Sequence, residues 1–196
     1  MIDELLEIVR FLFGFLPWLL FLILPTNGWE PLRRAVLICL IVSVVFAWKQ
    51  LRDRFILQWA TVAFFLFSAI SFYGFKSIWL ANYIAIISNS FLDGVIWFTV
   101  LIGKPFTLQY ARAELPPEQW YDEDVVRSCR TTAIFWGILL LVPTAFGVFR
   151  LRYPAALPGG FYFSISVFSI IFGVIFTTVY KRLKRKQRAS ASRAKV

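Results

Sequence analysis

Histidine is absent from this chain of 196 residues, and with it the commonest general base, proton shuttle and metal ligand. Cysteine occurs only twice, as Cys39 in an apolar run and Cys129 beside a basic loop. The two form no CxxC and no metal-ligand spacing, so both read as structural side chains, and no metal or other cofactor is expected. Charge is scarce: Asp, Glu, Lys and Arg make up 16% of the sequence, against about 25% in soluble domains. The acids number 11, and their only cluster is the consecutive run Asp122, Glu123 and Asp124. Consecutive residues on a helix point in different directions. That argues against an intramembrane enzyme acting on lipids, whose chemistry needs converging acids or histidine. No catalytic residues are identified. No GxxxG occurs either. The small-residue pairs Ala81/Ala85 and Ser169/Gly173 are the modest cues for close helix approach.

What the chain does have is apolar length. Hydrophobic residues make up 59%, with 22 Phe and 8 Trp and a mean hydropathy of +0.70. Apolar runs recur throughout and leave no room for a separate soluble domain. The expected fold is an all-α polytopic membrane protein, a bundle of about six transmembrane helices. Residues 1–180 form one transmembrane domain and residues 181–196 a basic cytoplasmic tail. The expected spans are Ile8–Pro25 with a kink at Pro17, Pro31–Trp48 with Arg33 and Arg34 snorkelling at its mouth, Phe55–Phe75, Ser77–Gly103, Thr131–Phe149 with Pro143 inside it, and Gly160–Tyr180. A span needs about 20 residues, so the first two are short, and a re-entrant pair is the alternative for them. The first segment does not read as a cleaved signal, because Asp3, Glu4 and Glu7 precede it and no A-x-A-like site follows.

The net charge of +10 is concentrated in the tail, where eight basic residues and no acid follow Tyr180. With both termini on one side of the membrane, that side collects 16 Lys and Arg and the other five. The positive-inside rule then puts both termini in the cytoplasm. Lys181, Arg182, Lys184, Arg185, Lys186 and Arg188 form the kind of juxtamembrane cluster that binds anionic headgroups, at about 1 kcal/mol per charge near the surface. Nucleic acid is a poorer match, because the tail has no interleaved aromatics and no folded context.

Lys104–Arg130 is the one long polar connection. Pro105 ends the fourth span. Phe106, Tyr110 and Ala113 then share one side of a short cytoplasmic helix between the fourth and fifth spans, an amphipathic element expected to lie in the interface. Pro116-Pro117 breaks it. Glu118, Asp122, Glu123 and Asp124 suit the positive end of the next helix, with Trp120 and Tyr121 at headgroup level. Lys104, Pro105, Tyr110, Arg112 and Trp120 are the candidate loop interface. It reads either as a docking or gating element or as a plain amphipathic connector.

The run Ser88–Phe98, Ser-Asn-Ser-Phe-Leu-Asp-Gly-Val-Ile-Trp-Phe, followed by Leu101–Arg112, Leu-Ile-Gly-Lys-Pro-Phe-Thr-Leu-Gln-Tyr-Ala-Arg, resembles the intracellular septation protein A family and its relatives among small bacterial multi-pass proteins. There a Ser/Gly-containing span ends in a Gly-Lys/Arg-Pro turn and an amphipathic Tyr-Ala-Arg segment. The resemblance covers about 25 residues. It implies a multi-pass protein of the bacterial inner membrane tied to envelope or division functions, and no catalytic residues.

Asp93 lies near the middle of the fourth expected span. An ionisable residue at that depth costs roughly 2.5–3.5 kcal/mol on insertion scales. Asn82, Ile86, Asn89, Asp93 and Trp97 fall in one helical stripe, with Ser90 and Gly94 alongside. Asn89 is four residues before Asp93, within side-chain hydrogen-bond reach. Ser43, Ser68, Ser166 and Ser169 lie at similar depth, and none of them is basic. The expectation is therefore a neutral, hydrogen-bonded acid. Asp93, Asn89, Asn82 and Ser90 are the candidate intramembrane polar site. Two functions stay open: a non-enzymatic scaffold or partner subunit, associating with a membrane-protein partner or with itself, and a small proton- or cation-coupled transporter or channel using Asp93.

Overall fold

The computed structural model describes residues 14–153 and 155–193, with side chains as far as Lys184. Every regular element among them is helical: α1 (Leu16–Ile23), α2 (Trp29–Val45), α3 (Trp48–Arg52), α4 (Ile56–Tyr73), α5 (Ile78–Leu101), α6 (Phe106–Glu114), α7 (Glu123–Arg152) and α8 (Gly159–Arg193), with a 3-10 turn at Pro117–Gln119. Helix is the form in which a chain this apolar satisfies its backbone without water. Four stretches are long and apolar enough to cross a membrane: α4, α5, α7 and Gly160–Lys184 of α8.

The first two expected spans come out differently. Part of Ile8–Pro25 lies outside the described residues. Its described helix, α1, has 8 residues and rises about 12 Å. Pro17 stands in its first turn, where a missing amide hydrogen sacrifices no helical bond. The second expected segment forms α2, whose 17 residues rise about 25 Å, short of the roughly 30 Å hydrocarbon layer.

Local chemistry sets the boundaries. Ser77 caps α5 by accepting the Leu80 amide at 3.3 Å. Gly103, at φ 70°, closes the helix in a left-handed turn that favours glycine, and the Lys104 amide reaches back to Thr99 O at 3.0 Å. Asp122 caps α7 by accepting the Asp124 amide at 2.8 Å, and Glu123 and Asp124 occupy its first turn, where the helix dipole favours acids. The helix then runs unbroken for 30 residues through the interior Pro143. The expected segment Thr131–Phe149 is therefore only the middle of α7.

Two apolar cores stack along the bundle. One gathers Phe21, Val36, Cys39, Phe65, Phe72 and Leu80 from α1, α2, α4 and α5. The other gathers Phe15, Leu57, Ile96, Phe106, Ala133 and Trp136. Trp18 packs against both and donates its indole N–H to Thr61 Oγ1 at 2.9 Å. Lipid is as apolar as these side chains, so close fit and buried hydrogen bonds hold the helices together. Glycines supply that fit. Trp97 lies so close to Gly137 that a Cβ there would sit 2.8 Å from Cε2, and Trp136 lies against Gly173 with a hypothetical Cβ 2.6 Å from Cη2. Trp136 also donates to Thr177 Oγ1 at 3.0 Å and stacks on Phe15 with centroids 5.7 Å apart.

Candidate functional site

On α5, 3.6 residues per turn bring Asn82, Asn89, Asp93 and Trp97 towards one side, and the structure divides that stripe in two. Asn82, Ile86 and Asn89 line a cleft of about 590 Å³ between α1, α5, α7 and α8. Asp93 does not line it. About 40° of helical rotation beyond Asn89, Asp93 is 5% exposed. Trp97 follows one turn on, and Asp93 Oδ1 is buried with no hydrogen-bond partner among the described residues. No hydrogen bond joins Asp93 to Asn89 among the described residues. Ser90 is exposed and is not part of the cleft wall.

The serines at similar depth look elsewhere. Ser43 donates to Leu40 O at 2.7 Å and Ser166 to Tyr162 O at 3.2 Å. Ser68 is fully buried and its hydroxyl has no partner. Asp93 is thus a buried acid one turn before Trp97, whose indole is braced by Gly137 of α7.

The cleft opens where α1 ends, α5 begins, α7 ends and α8 begins. Thr26, Asn82, Arg150 and Tyr162 line that end. Leu92, Trp136 and Phe15 line the far end, and Leu22, Ile86 and Leu140 lie among the side chains between. The Arg150 guanidinium sits 5.0 Å from the centroid of the Tyr162 ring.

At the opposite end of the bundle the polar loop folds under the helices. Pro105 is fully buried, and α6 is docked there. The Phe106 amide donates to Thr99 Oγ1 at 3.1 Å, and Thr107 Oγ1 donates to Cys129 O at 2.6 Å. Gln109 Oε1 accepts the Ile56 amide at 3.0 Å, and Gln58 Nε2 donates to Tyr110 Oη at 2.8 Å and to Gly14 O at 3.1 Å. Burial pushes the Tyr110 phenol above its ordinary value, with the Gln58 bond pulling the other way. The buried side of α6 is Phe106, Thr107 and Leu108, whereas Ala113, expected on that side, is exposed. Arg112 lies 5.2 Å from the Tyr121 ring centroid and donates to Trp120 O at 3.4 Å. The Trp120 indole donates to Leu115 O at 2.9 Å. Lys104 is exposed.

Of the expected headgroup cluster, Lys181, Arg182 and Lys184 lie on α8 within the described side chains, and Lys181 stands 3.9 Å from Glu114. The side chains of Arg185, Lys186 and Arg188 lie outside them. Gln58, Gly137, Arg150 and Tyr162 were not singled out by sequence. The contact signal for the first two is long-range and leaves no local pattern. Arg150 and Tyr162 flank the short Arg150–Gly159 connection, and their apposition follows from α7 and α8 being antiparallel. No protein family, curated protein or solved structure matches this chain.

Proposed function

We propose that the chain is a non-enzymatic integral protein of a bacterial inner membrane, serving as a scaffold or partner subunit in the cell envelope. The burial of Asp93 carries this reading. The one acid at mid-span is buried and stands outside the cleft, as suits a residue enclosed in the helix packing and not one lining a conduction path. In this reading the first expected span and α2 complete a six-span bundle with the four long helices, both termini are cytoplasmic, and α6 is the amphipathic element at the cytoplasmic face. The basic loops and tail and the likeness of Ser88–Arg112 to the septation protein A family support that placement.

Association is the activity expected of such a subunit. Only 17% of the α8 span is buried, and Phe168, Ile171, Phe172, Ile175 and Val179 face outward. Affinity purification of the full chain from native membranes, followed by mass measurement in mild detergent, tests it. A membrane protein retained at fixed stoichiometry, or a homo-oligomer, is expected. A lone monomer without such a partner overturns the proposal.

Transport through Asp93 is the second reading, favoured by Asn89, which lines the cleft one turn from the acid, and by Asn82, which lines it two turns further on. Proteoliposomes carrying wild type or Asp93→Asn decide between the two. Proton or cation flux that disappears in the variant, with the fold intact, supports transport, and flux equal to that of empty liposomes removes it.

A further inference from the structure

The α1–α5–α7–α8 cleft is mostly apolar along its length, with Ser88, Asn89 and Ser166 among its walls, and its one cationic side chain stands at one end; both properties bear on what it holds. Its volume of about 590 Å³ falls within the roughly 300–1,000 Å³ range of ligand sites. From Arg150 to Trp136 along α7 it runs about 21 Å, somewhat more than one leaflet's share of a hydrocarbon layer about 30 Å thick. Leu22, Ile86, Leu92, Leu140 and Ile170 offer this stretch no hydrogen bond.

The open end differs. Arg150 is exposed, and among the described residues no carboxylate lies within ion-pair distance of it. Its guanidinium rests on Tyr162, whose hydroxyl is buried without a hydrogen-bond partner. Thr26 and the carboxamide of Asn82 line the same end. An unpaired guanidinium, an orphaned hydroxyl and a carboxamide together suit a phosphate, and a buried polar group without a partner costs about 1–3 kcal/mol unless a ligand or water satisfies it.

We propose that this cleft is a binding site for an anionic phospholipid, with one acyl chain along α5 and α7 and the phosphate at Arg150 and Tyr162. The site is independent of the scaffold reading and of Asp93. It also differs from the basic tail at the other end of the bundle, which meets headgroups only at the membrane surface.

The test uses the full chain in non-ionic detergent with phosphatidylglycerol carrying a diazirine near the end of one acyl chain. Photolysis and peptide mapping are expected to place the label on α5 and α7 deep in the cleft, at residues such as Leu92 and Leu140. Unlabelled phosphatidylglycerol should compete at least tenfold better than phosphatidylcholine, and millimolar inorganic phosphate should not displace the probe. Arg150→Gln, a change at an exposed position, should lower labelling about tenfold, whereas Arg152→Gln should leave it unchanged. Ala85→Phe, from an exposed position on the cleft wall, should abolish it with helicity and thermal midpoint retained. Label spread evenly over the outward face of α8, equal competition by phosphatidylcholine, or labelling indifferent to both Arg150→Gln and Ala85→Phe would overturn the proposal.

Discussion

Asp93 and Trp97 stand one turn apart on α5, and the Trp97 indole rests on Gly137 of α7. A methyl group at position 137 would meet indole atoms at 2.8–3.1 Å, and the ring has to shift away. Gly137→Ala is therefore expected to cost about 1–3 kcal/mol by overpacking, read as a lower thermal midpoint in detergent, and to disturb the indole beside Asp93. Asp93→Asn should act in the opposite sense. The carboxamide keeps the shape, adds a donor, and removes an ionisable group whose Oδ1 is unsatisfied. Its midpoint should equal or exceed that of wild type, and a fall of several degrees would show that the carboxylate itself holds α5 to α7. Asp93 was conspicuous in the sequence because a charge interrupts an apolar run. Gly137 was not, since a glycine among Trp, Ile and Leu carries no sign of the ring that lies over it.

At the scale of elements, α6 shows what local pattern can and cannot convey. Its limits follow from Pro105 before it and the Pro116-Pro117 pair after it. Its placement does not, because groups that hold it come from other parts of the chain: Ile56, Gln58 and Cys129. The helix is bolted to the underside of the bundle, with Phe106 in the second core. Removing the Gln58 side-chain amide by Gln58→Leu leaves the Tyr110 hydroxyl without this partner. Each such bond is worth about 0.5–1.5 kcal/mol, so amide hydrogen exchange over Phe106–Glu114 should accelerate several-fold while that of α5 stays slow. Alkali should act on the same contact. The folded Tyr110 phenol ionises above its ordinary value of 10.0 because it is buried. Its contribution to α6 docking is then fully present below pH 10 and is lost as pH rises through the folded value. In a titration followed at 295 nm, a phenol step above the ordinary value of 10.0 is expected, and Tyr110→Phe should remove it.

The whole molecule combines apolar runs legible in the sequence with a grouping that was not. Hydropathy located the four long helices, but the division into two stacked cores and the cleft between α1, α5, α7 and α8 depends on which faces meet, and hydropathy is indifferent to that. The orientation inferred from Lys and Arg makes a direct prediction. In a Cys129→Ser background, Ala155→Cys should react with a membrane-impermeant maleimide added to spheroplasts, and Ser192→Cys only after lysis. The reverse pattern would invert the bundle and put the Arg150 end of the cleft in the cytoplasm.

Helix α8 continues to Arg193 without a break, although its apolar stretch ends at Tyr180. A helical backbone spaces successive residues at a fixed rise, as a floppy tail does not. From Lys181 to Arg193 the axis advances about 18 Å, roughly two Debye lengths at physiological ionic strength. If the helix stands upright, its base senses the field of the bilayer surface while its tip is electrically shielded from it. Lowering the salt lengthens the range of that field and recruits the upper turns one after another, so the tail would respond to ionic strength by degrees instead of as a single switch.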